Sequence, residues 1–194
     1  GVRGVAYSSV YLDTCGRTHY LAHHNGRVFR HKVRFRAYLG SPLAFLEVKR
    51  KTGRGDTDKV RMRVPTIGNA LTLEQADFVA RATHANEVLE PVLRNDFTRL
   101  TFVHRTRQER LTIDGGLRFS AGDRHAELNG IRIAELKSSG SAIGSPFTAL
   151  MRSLGHRPAG MSKYCVGLNL LGLAPKTNAF KPVLLRLEHL RRAA

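Results

Sequence analysis

Lys32, Arg34 and Arg36 stand two residues apart, as do Lys49 and Lys51, and Lys59, Arg61 and Arg63. On a strand, side chains at this spacing share a face and lie roughly 6.6–6.8 Å apart. Cations so placed can hold an anion that carries several charges. The intervening positions are apolar: Val33, Phe35 and Ala37, then Leu46 and Val48, then Val60, Met62 and Val64. Two later alternating stretches add Arg105, Arg110 and Lys137, with the acids Asp114 and Glu135. Glu47 is a lone acid in the second run. Such an acid either pairs with a neighbouring arginine or holds a divalent cation against phosphate oxygens. The plain alternative is a sheet with one solvated face. The uniform sign argues against it, because like charges on adjacent strands destabilise a sheet unless something neutralises them.

The elements that must carry these residues are strands. Val5 to Leu12, Phe29 to Tyr38, Leu43 to Lys51 and Lys59 to Val64 read as strands, the middle pair joined through Gly40-Ser41-Pro42 as a hairpin. Thr18 to His24 reads as a short helix. Apolar spacing turns helical over Thr72 to Ala82 and Asn86 to Leu93. Strands return at Leu100 to Thr106 and Arg110 to Asp114. Gly115-Gly116 is expected to turn the chain toward Leu117 to Ser120, and Ile131 to Lys137 is a further strand. Ser138 to Gly144 reads as a flexible run. Ser145 to Leu154 and Ser162 to Leu171 are helix candidates, and a basic tail from about Pro175 contains a short helix near Leu184 to Arg192. The order of strands, helices, strands and helices indicates an antiparallel α+β domain. His104 is expected to face the helix layer, Asp114 to make strand-end hydrogen bonds, and His23-His24 to lie at the surface.

With 194 residues the chain is most simply one domain, 1–194. Its net charge of +17 favours nucleic acid, anionic membrane or phosphorylated ligands as partners. No apolar run reaches the roughly 20 residues that span a bilayer. Cys15 and Cys165 are isolated, so a disulfide framework is not expected and a reducing cytoplasm fits. A nucleic-acid binder would show aromatics for stacking. With no Trp and 7% aromatic residues, nucleic acid is the less favoured partner.

Several stretches in order carry a resemblance: SVYLDT (Ser9 to Thr14), HKVRFRAYLGSPLAFLEVKRK (His31 to Lys51), DKVRMRVP (Asp58 to Pro65), RLTIDGGLRF (Arg110 to Phe119), AELK (Ala134 to Lys137) and SKY (Ser162 to Tyr164). Together they resemble the VTC domain, the polyphosphate polymerase domain of the vacuolar transporter chaperone complex. That family belongs to the triphosphate tunnel metalloenzymes, also called the CYTH-like superfamily. The resemblance implies an antiparallel barrel of about eight strands, with helices packed outside and a tunnel lined by Arg and Lys. It implies transfer of the γ-phosphate of ATP to a growing polyphosphate chain, with Mn²⁺ or Mg²⁺. Arg34 and Arg36 resemble the family's phosphate ligands. Lys49 and Arg61 resemble tunnel-wall cations, and Arg105 and Arg110 the arginines of the next strand pair. Lys163 of SKY resembles a tunnel lysine from a C-terminal helix. Glu135 of AELK resembles the metal-binding glutamate, and Glu47 is a second metal candidate. The family's opening strand with its E-x-K-like motif is not matched, so this chain is expected to start after it. Val103 stands where a tyrosine often precedes the tunnel arginine by two residues, and Gly160 where a second lysine can precede SKY. A triphosphatase on the same scaffold, or a module that binds polyphosphate, nucleotide or nucleic acid without turnover, are the rival readings. A cytoplasmic site, with membrane association through other subunits, is the expected location.

Overall fold

A computed structural model describes residues 4–53, 57–139 and 144–192. Eight antiparallel strands form one curled sheet, a half-barrel. The strands are β1 (Val5–Asp13), β2 (Arg30–Tyr38), β3 (Leu43–Lys51), β4 (Thr57–Val64), β5 (Glu90–Val103), β6 (Glu109–Ala121), β7 (Arg124–Leu128) and β8 (Ile133–Ser138). Their order is β4-β3-β2-β1-β5-β6, with β7 and β8 pairing different halves of β6. The helices are α1 (Thr18–His24), α2 (Leu73–Thr83), α3 (Pro146–Ser153), α4 (Lys163–Leu170) and α5 (Lys181–Arg192).

Registers fix two faces. Ser9 pairs Arg36, Tyr11 pairs Arg34, Arg34 pairs Glu47 and Glu47 pairs Arg61, so these residues share the concave face. The opposite parity is apolar. Val10, Leu12, Val33, Phe35, Leu46 and Val48 form one core with Val79 of α2, backed by Phe78 and Ala82. Thr72 starts α2 with a reciprocal capping box to Gln75, which satisfies free backbone N–H groups at the helix start. A second core lies on the concave side. There Tyr11, Leu93, Leu117 and Phe119 pack against Tyr164, Val166 and Leu168 of α4 and Tyr20 of α1. Thus α2 covers the β1–β4 part of the convex face, while α4 lies across one end of the concavity.

The structure corrects several expectations. Asn86 to Leu93 is not helical: α2 ends at Thr83, His84 turns left-handed at φ 57°, and the chain enters β5 at Glu90. Backbone pairing of β1 with Glu90 to Arg99 of β5 outweighs the helical spacing of Val88, Leu89, Val92 and Leu93. β5 ends at Val103, leaving His104 to Gln108 as the turn into β6. His104 does not face helices. It is exposed, and its Nδ1 accepts from the backbone N–H groups of Thr106 and Arg107. Gly115-Gly116 does not reverse the chain. β6 runs straight through it with a register shift, and the reversal falls at Gly122-Asp123 into β7, a strand the sequence did not announce. The basic tail is a docked helix: Leu187 of α5 is buried in the α4 core, with Phe180, Val183 and Leu184 against it. Parts of the expected loops at Thr52 to Asp58 and Ser138 to Gly144 lie outside the described residues.

Candidate anion-binding site

Alternation places Arg34 and Arg36 of β2, Glu47 of β3, Lys59 and Arg61 of β4, Arg99 of β5 and Asp114 of β6 on the concave face. From the α4 end, Lys163 reaches the same space. Five of these cations converge. Arg36, Arg99 and Lys163 lie 5.7, 5.4 and 4.9 Å from the Phe97 ring centre. Arg34 lies 5.8 Å from the Tyr11 ring centre. Arg34 and Lys59 meet on Glu47.

Two buried carboxylates tie the group together. Glu47, 1% exposed, accepts from Arg34 Nε at 2.8 Å and Nη2 at 2.7 Å, and its other oxygen meets Lys59. Burial alone would raise the Glu47 pKa, but Arg34, then Arg36 and Lys59, hold it down at about 2. Asp114 accepts from Arg99 Nε at 2.6 Å and Nη2 at 2.7 Å, and from Lys163 Nζ at 2.5 Å. Burial pushes the Asp114 carboxyl up, and Arg99 and Lys163 overcome it and hold it low. Asp114 is therefore not a strand-end hydrogen-bonding residue but an anchor for two site cations.

Arg36 lacks such an anchor. It is 6% exposed, donates from Nε to Ser9 Oγ at 3.1 Å, and stands 4.0 Å from the nearest Glu47 oxygen. Burial, then Arg34 and Arg99, lower its pKa to about 10. Five cations thus face two carboxylates, and the deficit is centred on a buried guanidinium. Burying a charge without a full partner is costly, so the arrangement favours an incoming anion. Arg and Lys are the residues that grip phosphate, the first as a fork and the second as a point charge. Tyr11 joins the site too. Burial pushes its phenol up, yet Arg34, Arg36, Lys163 and Lys32 together hold it below its ordinary value.

The remaining sequence candidates divide. Lys49 and Arg61 lie on the concave face, exposed, with Arg61 stacked 4.6 Å from the Phe45 ring centre. Arg110 shares that face near the rim and is exposed. Arg105 lies past the end of β5, exposed in the turn. The arginine that β5 does bring to the site is Arg99, which the sequence reading missed. An aromatic, Phe97, precedes it by two residues, where Val103 stands before Arg105. Lys163 is held by its helix. Tyr164 beside it stacks on Tyr11 and donates to Asp13, whose carboxylate also accepts the His19 and Tyr20 backbone N–H groups.

Among the described residues no three His, Cys, Asp or Glu side chains cluster as metal ligands. Glu47, saturated by cations, does not fit a metal. Glu135 does: it is exposed on β8, and its one ion pair is Lys137 at 3.6 Å. Thr112 stands opposite Glu135 in register, and its Oγ1 is buried without a hydrogen-bond partner. One carboxylate and one hydroxyl suit a divalent ion that takes its other ligands from phosphate and water.

Comparison with protein families matches the VTC domain over residues 3–172. No curated protein matches the chain. Among solved structures, HpAC1 from Hippeastrum, described as revealing a dominant triphosphatase activity, aligns with TM-score 0.51 and 13% identity, covering 87% of this chain and 83% of that one. The PH1819 protein from Pyrococcus horikoshii OT3 aligns with TM-score 0.46 and 13% identity, over 87% and 85%.

Proposed function

Because the chain belongs to the VTC domain family of triphosphate tunnel metalloenzymes, we propose that it binds ATP by its phosphates on the concave face and passes the γ-phosphate to a polyphosphate chain. The observation that carries this reading is Arg36: a buried cation among Arg34, Arg99 and Lys163, without a carboxylate of its own. A triphosphate supplies the missing charge. In the transfer, a terminal oxygen of the acceptor chain attacks the γ-phosphorus, the bond to the β-phosphate oxygen breaks, and ADP leaves. Such a reaction asks the protein for positioning and charge neutralisation more than for covalent chemistry. Arg34, Arg36, Arg99 and Lys163 orient the phosphate oxygens. Glu47 and Asp114 hold those cations in place before substrate arrives, so little reorganisation is needed. The family implies a divalent ion. Glu135 and Thr112 would hold Mn²⁺ or Mg²⁺, which would neutralise phosphate charge.

The triphosphatase reading is favoured by one observation. Among the described residues the outer edge of β4 has no partner, and most of β4 is exposed, so water reaches the cations on that side. HpAC1, on a similar fold, is described with a dominant triphosphatase activity. Incubation with ATP and Mn²⁺, resolved on a gel stained for long-chain phosphate and assayed for orthophosphate, tests both. Polymerase activity gives a growing ladder; hydrolysis gives orthophosphate alone; neither product refutes turnover. Glu135→Ala is expected to abolish metal-dependent turnover while tripolyphosphate binding changes less than threefold. Unchanged turnover would remove Glu135 from the metal site.

A further inference from the structure

The concave face carries a second group of cations that the two carboxylates do not reach. At the end of β2 nearest α1, Arg30 stands opposite Lys51, and Lys32 opposite Lys49. Lys49 in turn stands opposite Lys59. Like charges placed directly opposite one another destabilise a sheet. Arg30, Lys32, Lys49 and Lys51, with Thr57 of β4 and His23 of α1, line a pocket of about 270 Å³. Among the described residues, no carboxylate lies within ion-pair distance of Lys32, Lys49 or Lys51. The Nε2 of His23 is buried without a hydrogen-bond partner.

We infer that this pocket is a second anion site, which takes one phosphate group separately from the Arg34–Arg36 cluster. Three features point there together: the ladder of cross-strand cations, the orphaned imidazole nitrogen, and a volume several times the ~30 Å³ share of one water. A phosphate in the pocket accepts from the three ammonium groups and from the Arg30 guanidinium. Burial, then Lys32 and Arg30, push the His23 pKa down to about 3, so the ring adds no charge to the pocket and leaves it to the lysines and Arg30. Burial also lowers the Lys32 pKa, as expected of an ammonium awaiting a counter-charge. Two sources supply such a group. One is free orthophosphate. The other is a later phosphate of a chain whose first groups sit on Arg34 and Arg36, one side-chain step of roughly 6.7 Å along β2. This second source rests on the function proposed above.

Calorimetry with orthophosphate, tripolyphosphate and a long linear polyphosphate, on the wild type and a His23→Ala/Lys51→Ala variant, separates these outcomes. Circular dichroism confirms that the variant folds, and Lys51→Ala alone serves if it does not. If the pocket takes a chain, the wild type binds long polyphosphate about tenfold tighter than tripolyphosphate, and the variant loses that gain while keeping tripolyphosphate affinity within twofold. If it takes the free ion, orthophosphate binds to protein already saturated with tripolyphosphate, and the variant does not bind it. No chain-length gain and no orthophosphate binding in the wild type overturns the inference, as does a variant that matches the wild type on both. Orthophosphate binding that depends on Lys51, in a protein that fails to bind tripolyphosphate, would sustain this pocket and refute the larger site.

Discussion

Glu47 shows how single residues hold this site in readiness. It is buried and grips Arg34 and Lys59. Replacing it by Gln leaves Arg34, Arg36 and Lys59 mutually repelling, which is expected to cost about 3 kcal/mol. A bound polyanion should restore most of that loss. Thermal melts of Glu47→Gln should therefore show a lower Tm than wild type, and a larger rise on adding tripolyphosphate. An equal rise in both proteins would contradict the role. The carboxylate also sets an acid limit. Its pKa is lowered from 4.5 to about 2 in the folded chain, so the folded state binds fewer protons than the unfolded state between those values. The stability it contributes is complete above about pH 4.5 and is lost as pH falls toward 2. Denaturant titrations across that window should show the wild type losing stability more steeply than Glu47→Gln. At this scale much was legible. Arg34, Arg36 and Glu47 announce their shared face through strict alternation. The same alternation put Asp114 among the cations, but its anchoring role was not legible, because the two glycines after it imitate a turn. Nor was Arg99, which stands amid Asn95, Asp96 and Thr98 rather than in a run of alternating cations. Only the β5–β6 register, which sets Arg99 opposite Asp114, reveals it.

Among the elements, β6 and α4 decide whether the cations converge. Asp114 and Thr112 share the concave face with Leu117 and Phe119, although one pair is even-numbered and the other odd. The register shift at Gly115-Gly116 absorbs the extra residue, with Gly116 at φ 60°. A period-two reading fails across such a bulge, which is why β6 looked like two strands. α4 lies close on these strands because residue 167 has no side chain. A Cβ there would come within 2.6 Å of both Leu93 and Phe119. Gly167→Ala is expected to push α4 outward, destabilise the fold by about 2 kcal/mol, and draw Lys163 from Asp114. Urea titration should show the stability loss, and tripolyphosphate affinity should fall about threefold or more. Full affinity would show that α4 does not position the site. The helix period of α2 was plain in the sequence, while α4, buried over Tyr164, Cys165, Val166, Gly167 and Leu168, shows no such period. The start of β5 was not, because its apolar residues also fit a helix until β1 is there to pair with it.

Over the whole molecule, part of the +17 surplus is organised on one face. The convex face is apolar over the central parts of β2 and β3 and the end of β1, where α2 covers it. The concave face gathers the cations, with aromatic rings of Tyr7, Tyr38 and Phe45 toward one end and the Arg30–Lys51 pocket toward the other. Fold class and the cationic face followed from alternation and family resemblance. The curvature that brings distant strands into one site did not, because it depends on registers no local pattern encodes. The central claim is that Arg36 sits buried and under-compensated in order to receive a triphosphate. Calorimetric titration of tripolyphosphate at low salt, on wild type and Arg36→Met, tests it most directly. Methionine keeps much of the volume and removes the charge, and replacing a poorly compensated buried charge is commonly neutral or stabilising. Affinity is expected to be at least about tenfold weaker in the variant, with a Tm equal to or above wild type. Equal affinity in the two proteins would contradict it.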